Sequence, residues 1–473
     1  MEFNNMSQDN NLREQFASRA GFILMTAGCA IGLGNVWRFS YVAGEYGGGW
    51  FLILYLLFLA ILGFPVMLME LAIGRAGRST FPGAFRNLQK PDGGFKWHKP
   101  VYLLFLGNLI LLMFYSVITG WLLIYAYNFI TGKFNQTTPE ICQNIFVDML
   151  AAPASQIIGM AVAVAITVLV CLGGVRKTIE KVIKVMMGGL FILLLMLVIN
   201  SLLLPGAGDG IAFFLKPNWH NFVDKGILET AHAAMAQAFF TLSLGIGSIA
   251  VCGSYTNRDS SLPKEGLWII LLDTIVAVTS GLIIFPACQS FGIEADSGPS
   301  LVFITLPNVF NNMAGGVFWG GLFFVFLCMA ALSTLIAVFE NLVAFGMEEM
   351  RWSRVKSGMI FGVILLVFAL PCIFGFNIWQ HIHPLGGESS ILDLEDFIVS
   401  DNLLPLGAFF MTIFCMNRCG WHNDGFYKEL SIGNGRTPGK LLTCYLRWIL
   451  PVIILLIWLI GILKKIFPEV LDM

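Results

Sequence analysis

The sequence predicts an all-α integral membrane protein, and three observations carry that prediction. The chain of 473 residues is 57% hydrophobic and only 12% charged, about half the roughly 25% charge of a soluble domain. Its apolar residues gather in eleven runs, each near the ~20 residues that cross a ~30 Å hydrocarbon core. The runs are continuous and lack the alternation of period two that a membrane β-barrel strand needs, so each is read as a helix that satisfies its own backbone in lipid. This composition excludes an ordinary cytosolic enzyme and a disordered scaffold. The net charge of −1 leaves no basic excess for a phosphate backbone, so no nucleic acid is expected as a partner.

In chain order the runs fall at about 21–43, 49–73, 101–131, 155–174, 182–204, 230–256, 266–291, 316–347, 357–380, 397–417 and 441–463. Loops on the cytoplasmic side are enriched in Lys and Arg. With the N-terminus inside, the inner segments hold 21 of the 28 basic residues and the outer segments five, Lys133, Lys216, Lys225, Lys464 and Lys465. The expected orientation is therefore N-terminus cytoplasmic and C-terminus outside. Residues 1–20 are polar and the first apolar run is full length, so no cleavable signal is expected. The ten cysteines fall mostly within apolar runs with no CxxC pair, and they read as small buried hydrophobes.

The informative residues are those that a plain membrane helix would not contain. The first run carries Gly28, Gly32 and Gly34, each weakening a helix by ~1 kcal/mol relative to Ala, and then Asn35 and Arg38. An Arg at membrane depth costs roughly 2.5–3.5 kcal/mol on insertion scales. Close helix packing through small residues is one account, but it leaves Asn35 and Arg38 unexplained. A break in the helix explains both, because freed carbonyls and a half-helix N-terminus bind ions of both signs. The sixth run shows the same signs, with Gln237, Thr241 and Ser243 followed by Gly245 and Gly247. Interrupted helices five spans apart are the mark of an inverted-repeat transporter, whose odd-numbered halves insert with opposite topology.

Later runs add buried polar groups. Asp273 sits inside the seventh, and an ionisable residue there points to function. Ser333 and Thr334 sit in the eighth, where hydroxyls serve a hard cation or simply bond back to their own helix. Beyond the ninth, His381-Ile382-His383 has metal-ligand spacing but no third ligand and reads as loop histidines. Asn135-Gln136-Thr137 forms a short sequon in a predicted outer loop. An intramembrane enzyme would need a nucleophile with its base or a metal motif, yet neither HExxH nor GxSxG occurs. A channel would line its pore with rings of like groups, whereas here the polar residues cluster at two breaks.

The stretch from Gly28 to Arg38, Glu45 to Gly49, Phe239 to Ser243, Phe303 to Pro307 and Ala314 to Gly316 resembles the signatures of the neurotransmitter:sodium symporter family. The likeness runs from about Arg13 to about residue 415 and is closest to that family's bacterial amino-acid transporters. It implies a single transporter domain over 1–473 with a 5+5 inverted repeat, the halves at about 13–204 and 229–417, broken helices 1 and 6, and one additional C-terminal helix at about 441–465. It further implies sodium-coupled import of an amino acid across the bacterial inner membrane, with sodium as the ion and no organic cofactor.

Carried over residue by residue, the resemblance implies two sodium sites. Ala30, Asn35, Thr241 and Asp273 would join the substrate carboxylate around one ion. Gly28, Ile31, Ala330, Ser333 and Thr334 would hold the other. The carboxylate would meet Leu33, Gly34 and the Tyr115 hydroxyl, and the ammonium would meet carbonyls near Ala30 and Phe240 with Thr241, Ser243 or Thr334 beside it. Cys29, Leu111, Ile246 and Val338 would line an apolar side-chain pocket, implying a neutral hydrophobic or aromatic substrate. Monoamine carriers have Asp where Gly32 stands, so this substrate should bring its own carboxylate. Asp273 would supply the fixed negative charge that other members take from chloride, although Tyr55 and Gln237 match the usual anion ligands. Arg38 with Asp396 would close the outer path. Arg13 with Glu348, supported by Phe16 and Tyr255, would close the inner one, and Glu70 and Glu340 would brace unwound backbone.

Overall fold

The computed structural model describes residues 14–91, 94–135, 137–292, 300–387, 389–433 and 439–466. Among them the secondary structure is helical, with a single isolated bridge between Gly48 and Pro217. Nine helices are long and apolar enough to cross a membrane, or ten if a first, bent pair counts as one span. That pair is α1 (Arg19–Ala30) and α2 (Gly34–Glu45), which meet at 59°. α3 (Gly49–Gly77) follows, then the short α4 (Phe81–Leu88) and the long α5 (His98–Ile130). α6 (Pro139–Ala151) leads into α7 (Pro153–Leu172) and α8 (Val175–Leu202).

The second half begins with short connecting helices, α9 (Ala207–Leu215) and α10 (Trp219–Asp224). The sixth apolar run does not form one span-length helix. It is two pieces, α11 (Ile227–Phe240) and α12 (Ser248–Ser254), on either side of a seven-residue break. α13 (Leu262–Ser290), the short α14 (Leu301–Asn311) and α15 (Gly316–Glu348) come next. α16 (Arg354–Phe374), α17 (Ile391–Met416), α18 (His422–Ser431) and α19 (Lys440–Leu463) complete the order.

The physical causes of both breaks are local. α1 is capped by the Ser18 hydroxyl, which accepts from the Gly21 amide at 3.0 Å. It stops where Ile31 turns extended, with φ −70° and ψ 102°. Between α11 and α12 the backbone enters the left-handed region at Ser243 (φ 49°), Gly245 (φ 108°) and Gly247 (φ 89°), which no continuous helix tolerates. Gly245 is fixed by contact as well as by φ: a Cβ there would lie 2.2 Å from the Leu404 carbonyl oxygen. α17 therefore presses backbone against backbone at the break.

α5 packs along α15, and α1 is enclosed by α8, α13 and α15. α12 lies against α3. The surface of the bundle is apolar where it should meet lipid: Val185 and Ile192 on α8 are 75% and 62% exposed. Such a surface would be a liability in water and is the expected one in hydrocarbon. All ten cysteines are free and eight are buried.

Candidate functional site

The break between α1 and α2 leaves two amides without helical partners, and side chains take them up. The Gly32 N–H donates to Asn35 Oδ1 at 3.0 Å, and the Leu33 N–H donates to the Tyr115 hydroxyl at 2.9 Å. Gly32 is confined by the same neighbours, since a Cβ would stand 2.4 Å from the Tyr115 hydroxyl and 2.9 Å from Thr334 Oγ1. Any side chain at position 32 must displace the Tyr115 hydroxyl.

Beside the break lies a cavity of about 350 Å³. Of the residues predicted for the substrate, Ala30, Leu33, Gly34, Leu111, Tyr115, Phe240, Ser243 and Thr334 line it. Cys29, Ile246 and Val338 do not: all three are fully buried in the protein core. Cys29 on α1 and Val338 on α15 pack between helices, and Ile246 lies in the break between α11 and α12. Phe114, Ile118 and Leu404 supply apolar wall instead. Their sequence context gave no signal, because one Phe or Ile in an apolar run looks like any other. The cavity has poles: backbone of the helix break at one end, and Arg38, Asp393, Asp396 and Asp401 at the other.

Thr241, one of the substrate candidates, belongs to a separate polar knot. Asn35 Nδ2 donates to Asp273 Oδ1 at 2.7 Å and to Thr241 Oγ1 at 3.0 Å, while the Thr241 hydroxyl donates to Asp273 Oδ2 at 3.0 Å. All three side chains are buried. A carboxylate in such a place is costly unless hydrogen-bonded or paired with a cation. Asn35 and Thr241 supply hydrogen bonds, with Asn35 turning its amide nitrogen to the knot and its oxygen to the Gly32 N–H. The Tyr55 hydroxyl on α3 and the Gln237 side-chain oxygen on α11 are buried without a hydrogen bond among the described residues.

A second oxygen cluster joins α1 to α15. Thr334 Oγ1 lies 3.1 Å from both the Gly28 and Ile31 carbonyl oxygens, and Ser333 Oγ lies 3.2 Å from the Gly28 oxygen. Both hydroxyls also reach the Ala330 carbonyl, at 2.8 Å from Ser333 and 3.4 Å from Thr334. The bland reading is thus half true, since the hydroxyls do bond back to their own helix. They also bridge to a second helix, and five neutral oxygens from Gly28, Ile31, Ala330, Ser333 and Thr334 meet at one point. An oxygen-only set of this kind suits a hard cation.

The gate residues are placed less simply. The Arg38 guanidinium carbon stands 4.2 Å from the Phe240 ring centroid, a cation–π contact. Asp396 accepts from Ser400 Oγ at 2.5 Å and shares the cavity with Arg38. Arg13 lies outside the described residues. Glu348 accepts from Ser79 Oγ at 2.6 Å and from the Thr80 N–H at 2.8 Å, at the start of α4. Tyr255 donates to Glu340 at 3.0 Å, with its ring edge-on to Phe16 at 6.1 Å. Glu340 in turn takes Arg354 through two nitrogens, at 2.8 and 2.7 Å, so it belongs to this charge cluster and not to unwound backbone. Glu70 does brace the second break, accepting from the amides of Gly245, Ile249 and Ala250 at 2.9, 3.2 and 3.4 Å.

Two polar clusters at a broken helix, with an amphipathic cavity beside the break, define a secondary transporter of the membrane. The sequence model of the Sodium:neurotransmitter symporter family matches residues 13–151 and 147–471, and the chain belongs to that family. It is 33% identical over 454 residues to the uncharacterized sodium-dependent transporter YhdH of Bacillus subtilis, covering 95% of this chain and 98% of that one. The sodium-dependent serotonin transporter of Drosophila melanogaster is 26% identical over 412 residues, covering 78% of this chain and 64% of the relative. Among solved structures, MhsT in complex with L-phenylalanine superposes with a TM-score of 0.84 at 38% identity, covering 94% of this chain and 99% of that one.

Proposed function

We propose that the chain is a sodium-coupled symporter that imports a neutral, hydrophobic or aromatic amino acid by alternating access and does not require chloride. The observation that carries this reading is that the Asn35–Thr241–Asp273 knot and the Gly28–Ile31–Ala330–Ser333–Thr334 cluster both gather at the helix break that borders one cavity. Sodium is a co-substrate here, and each donor set fits it. The first set supplies the Asp273 carboxylate and the Thr241 hydroxyl, and in this proposal the Asn35 amide oxygen, which here accepts from the Gly32 N–H, and the Ala30 carbonyl complete it. The second offers five neutral oxygens.

The solute is a zwitterion in this reading. Its carboxylate meets the Tyr115 hydroxyl and the backbone of Leu33 and Gly34, near the first ion. Its ammonium meets carbonyls near Ala30 and Phe240, with Ser243 and Thr334 close by. A carboxylate shared between solute and ion makes each bind more tightly in the presence of the other, which is the thermodynamic content of coupling. Leu111, Phe114 and Ile118 give the solute side chain an apolar wall, and the structure bound to L-phenylalanine supports an aromatic or large aliphatic side chain. The confinement of Gly32 supports a solute that brings its own carboxylate.

The Asp273 carboxylate fills the electrostatic role that an anion would otherwise have beside Thr241, which supports chloride independence. The halves at about 13–204 and 229–417 are inverted repeats in this proposal, and residues 441–465 are an addition to them. The N-terminus faces the cytoplasm and the C-terminus the outside of a bacterial inner membrane, in line with the distribution of Lys and Arg. Arg38 and Asp396 then close the outer path, and Glu348 with Tyr255 and Phe16 belong to the inner one.

Proteoliposomes loaded without sodium and diluted into radiolabelled phenylalanine or leucine provide the test. The expected outcome is accumulation driven by an inward sodium gradient and unchanged when chloride is replaced by gluconate. Uptake that ignores sodium, or that follows an imposed proton gradient alone, overturns the proposal.

A further inference from the structure

A second cavity lies apart from the solute site. It is a groove of about 760 Å³ where the end of α5 meets the start of α15 beneath α14. Phe129 and Ile130 form one wall and Phe310 forms the roof. The floor is the face of α15 from Gly316 to Val325. That face extends roughly 14 Å along the helix at 1.5 Å per residue, close to half of a ~30 Å hydrocarbon core.

We propose that this groove seats an acyl chain of a membrane phospholipid. Its walls are predominantly apolar, from Phe129, Ile130, Phe310, Val317, Phe318 and Leu322, so water filling it would find fewer partners than in bulk. The two amides at its edge are Asn135, which is exposed, and Asn311, which already donates to Thr137 and to Cys142 Sγ. The groove is flanked by Ile130 and Phe318, 73% and 59% exposed, and it is continuous with the apolar surface of two spans. The medium covering that surface is the bilayer, and a hydrocarbon chain lying along α15 is the occupant it supplies.

The glycines sharpen the point. Gly316 is required by packing, since a Cβ would fall 1.6 Å from the Phe310 carbonyl oxygen. Gly321 is not, because a Cβ there would meet only Phe129 Cβ, at 3.8 Å. Its missing side chain is what leaves the groove deep. The roof also has consequences, because α14 reaches the solute cavity from its other face. Phe303 stands edge-on to Trp37 at 6.5 Å, and Trp37 lines that cavity. A chain packed under Phe310 therefore braces the segment that covers the solute. The inference rests on the membrane placement in the functional proposal and not on the identity of the solute.

The test is photolabelling of the full chain in vesicles of phosphatidylethanolamine and phosphatidylglycerol that carry a diazirine on one acyl chain, with labelled sites mapped by mass spectrometry. Labelling of 129–130 and 316–325 is expected to exceed that of the exposed α8 residues Val185 and Ile192 by about fivefold, as a seated chain should outlast a free one. Gly321→Leu fills the groove and should remove that excess. Gly188→Leu, on an exposed face with nothing within 4 Å of its Cβ, should leave it intact. Retained binding of labelled phenylalanine or leucine, or an unshifted elution volume, marks Gly321→Leu as folded. Labelling no higher than on α8, labelling that survives in folded Gly321→Leu, or chain-to-chain crosslinks through the groove overturns the proposal. These outcomes leave the sodium-uptake result untouched, so the two readings fail separately.

Discussion

Asp273 and Gly32 show how single residues set the chemistry. Asp273 keeps its carboxylate in a fully buried position through hydrogen bonds from Asn35 and Thr241. Replacing it by Asn preserves size and removes the charge that would face an ion. Asp273→Asn is expected to weaken sodium-dependent solute binding at least tenfold, worth ~1.4 kcal/mol, with any residual binding now sensitive to chloride. Scintillation proximity binding in sodium with chloride or gluconate checks this, and unchanged, chloride-indifferent binding would refute the role. Gly32→Ala makes the complementary case. Its methyl group must displace the Tyr115 hydroxyl, so solute affinity should fall about tenfold or more, while thermal stability changes by less than that of a variant that creates a core cavity. Residues whose polarity is out of place in lipid were legible in the sequence, and the five members of the Ser333–Thr334 cluster indeed converge. Phe114, Ile118 and Leu404 were not legible, because nothing distinguishes an apolar residue facing a cavity from one facing a neighbour.

At the scale of elements, the break in the sixth run depends on a glutamate from another helix. Glu70 on α3 accepts from three backbone amides around Gly245 to Ala250. Each buried amide left without a partner costs about 1–3 kcal/mol. Glu70→Ala should therefore lower the thermal midpoint in detergent by several degrees, and Glu70→Gln, which keeps an acceptor, should recover part of the loss. A Glu70→Ala protein as stable as wild type would show that the break holds itself. The glycines and hydroxyls at 241–247 announced that a helix would fail there. They could not announce that it would split into pieces of 14 and 7 residues. That division follows from the approach of α17 at Leu404 and the reach of Glu70, both far away in sequence.

Across the whole molecule, alternating access requires one end of the bundle to loosen while the other holds. At the end remote from Arg38, Glu340 gathers Tyr255 and Arg354, and Tyr255 meets Phe16 at the entry to α1. Arg354→Ala leaves a buried carboxylate without its cation, a loss that in proteins commonly reaches 3–5 kcal/mol. The expected result is a population shifted toward opening at this end, read as faster modification of a cysteine placed at Phe16, with sodium restoring protection. Modification at the wild-type rate would argue that the cluster only stabilises the fold. Apolar run length and the scarcity of charge determined the solvent and the helical class, and glycines and polar residues out of place in lipid marked where helices one and six would fail, because in lipid every polar group must find its partner within the protein. Tertiary structure decided which partner each polar group took. Glu348 reached the start of α4, Glu340 took Arg354, and Cys29 and Val338 turned into the core, because the direction of a side chain on a helix is set by how that helix is rotated against its neighbours, and rotation is a property of packing.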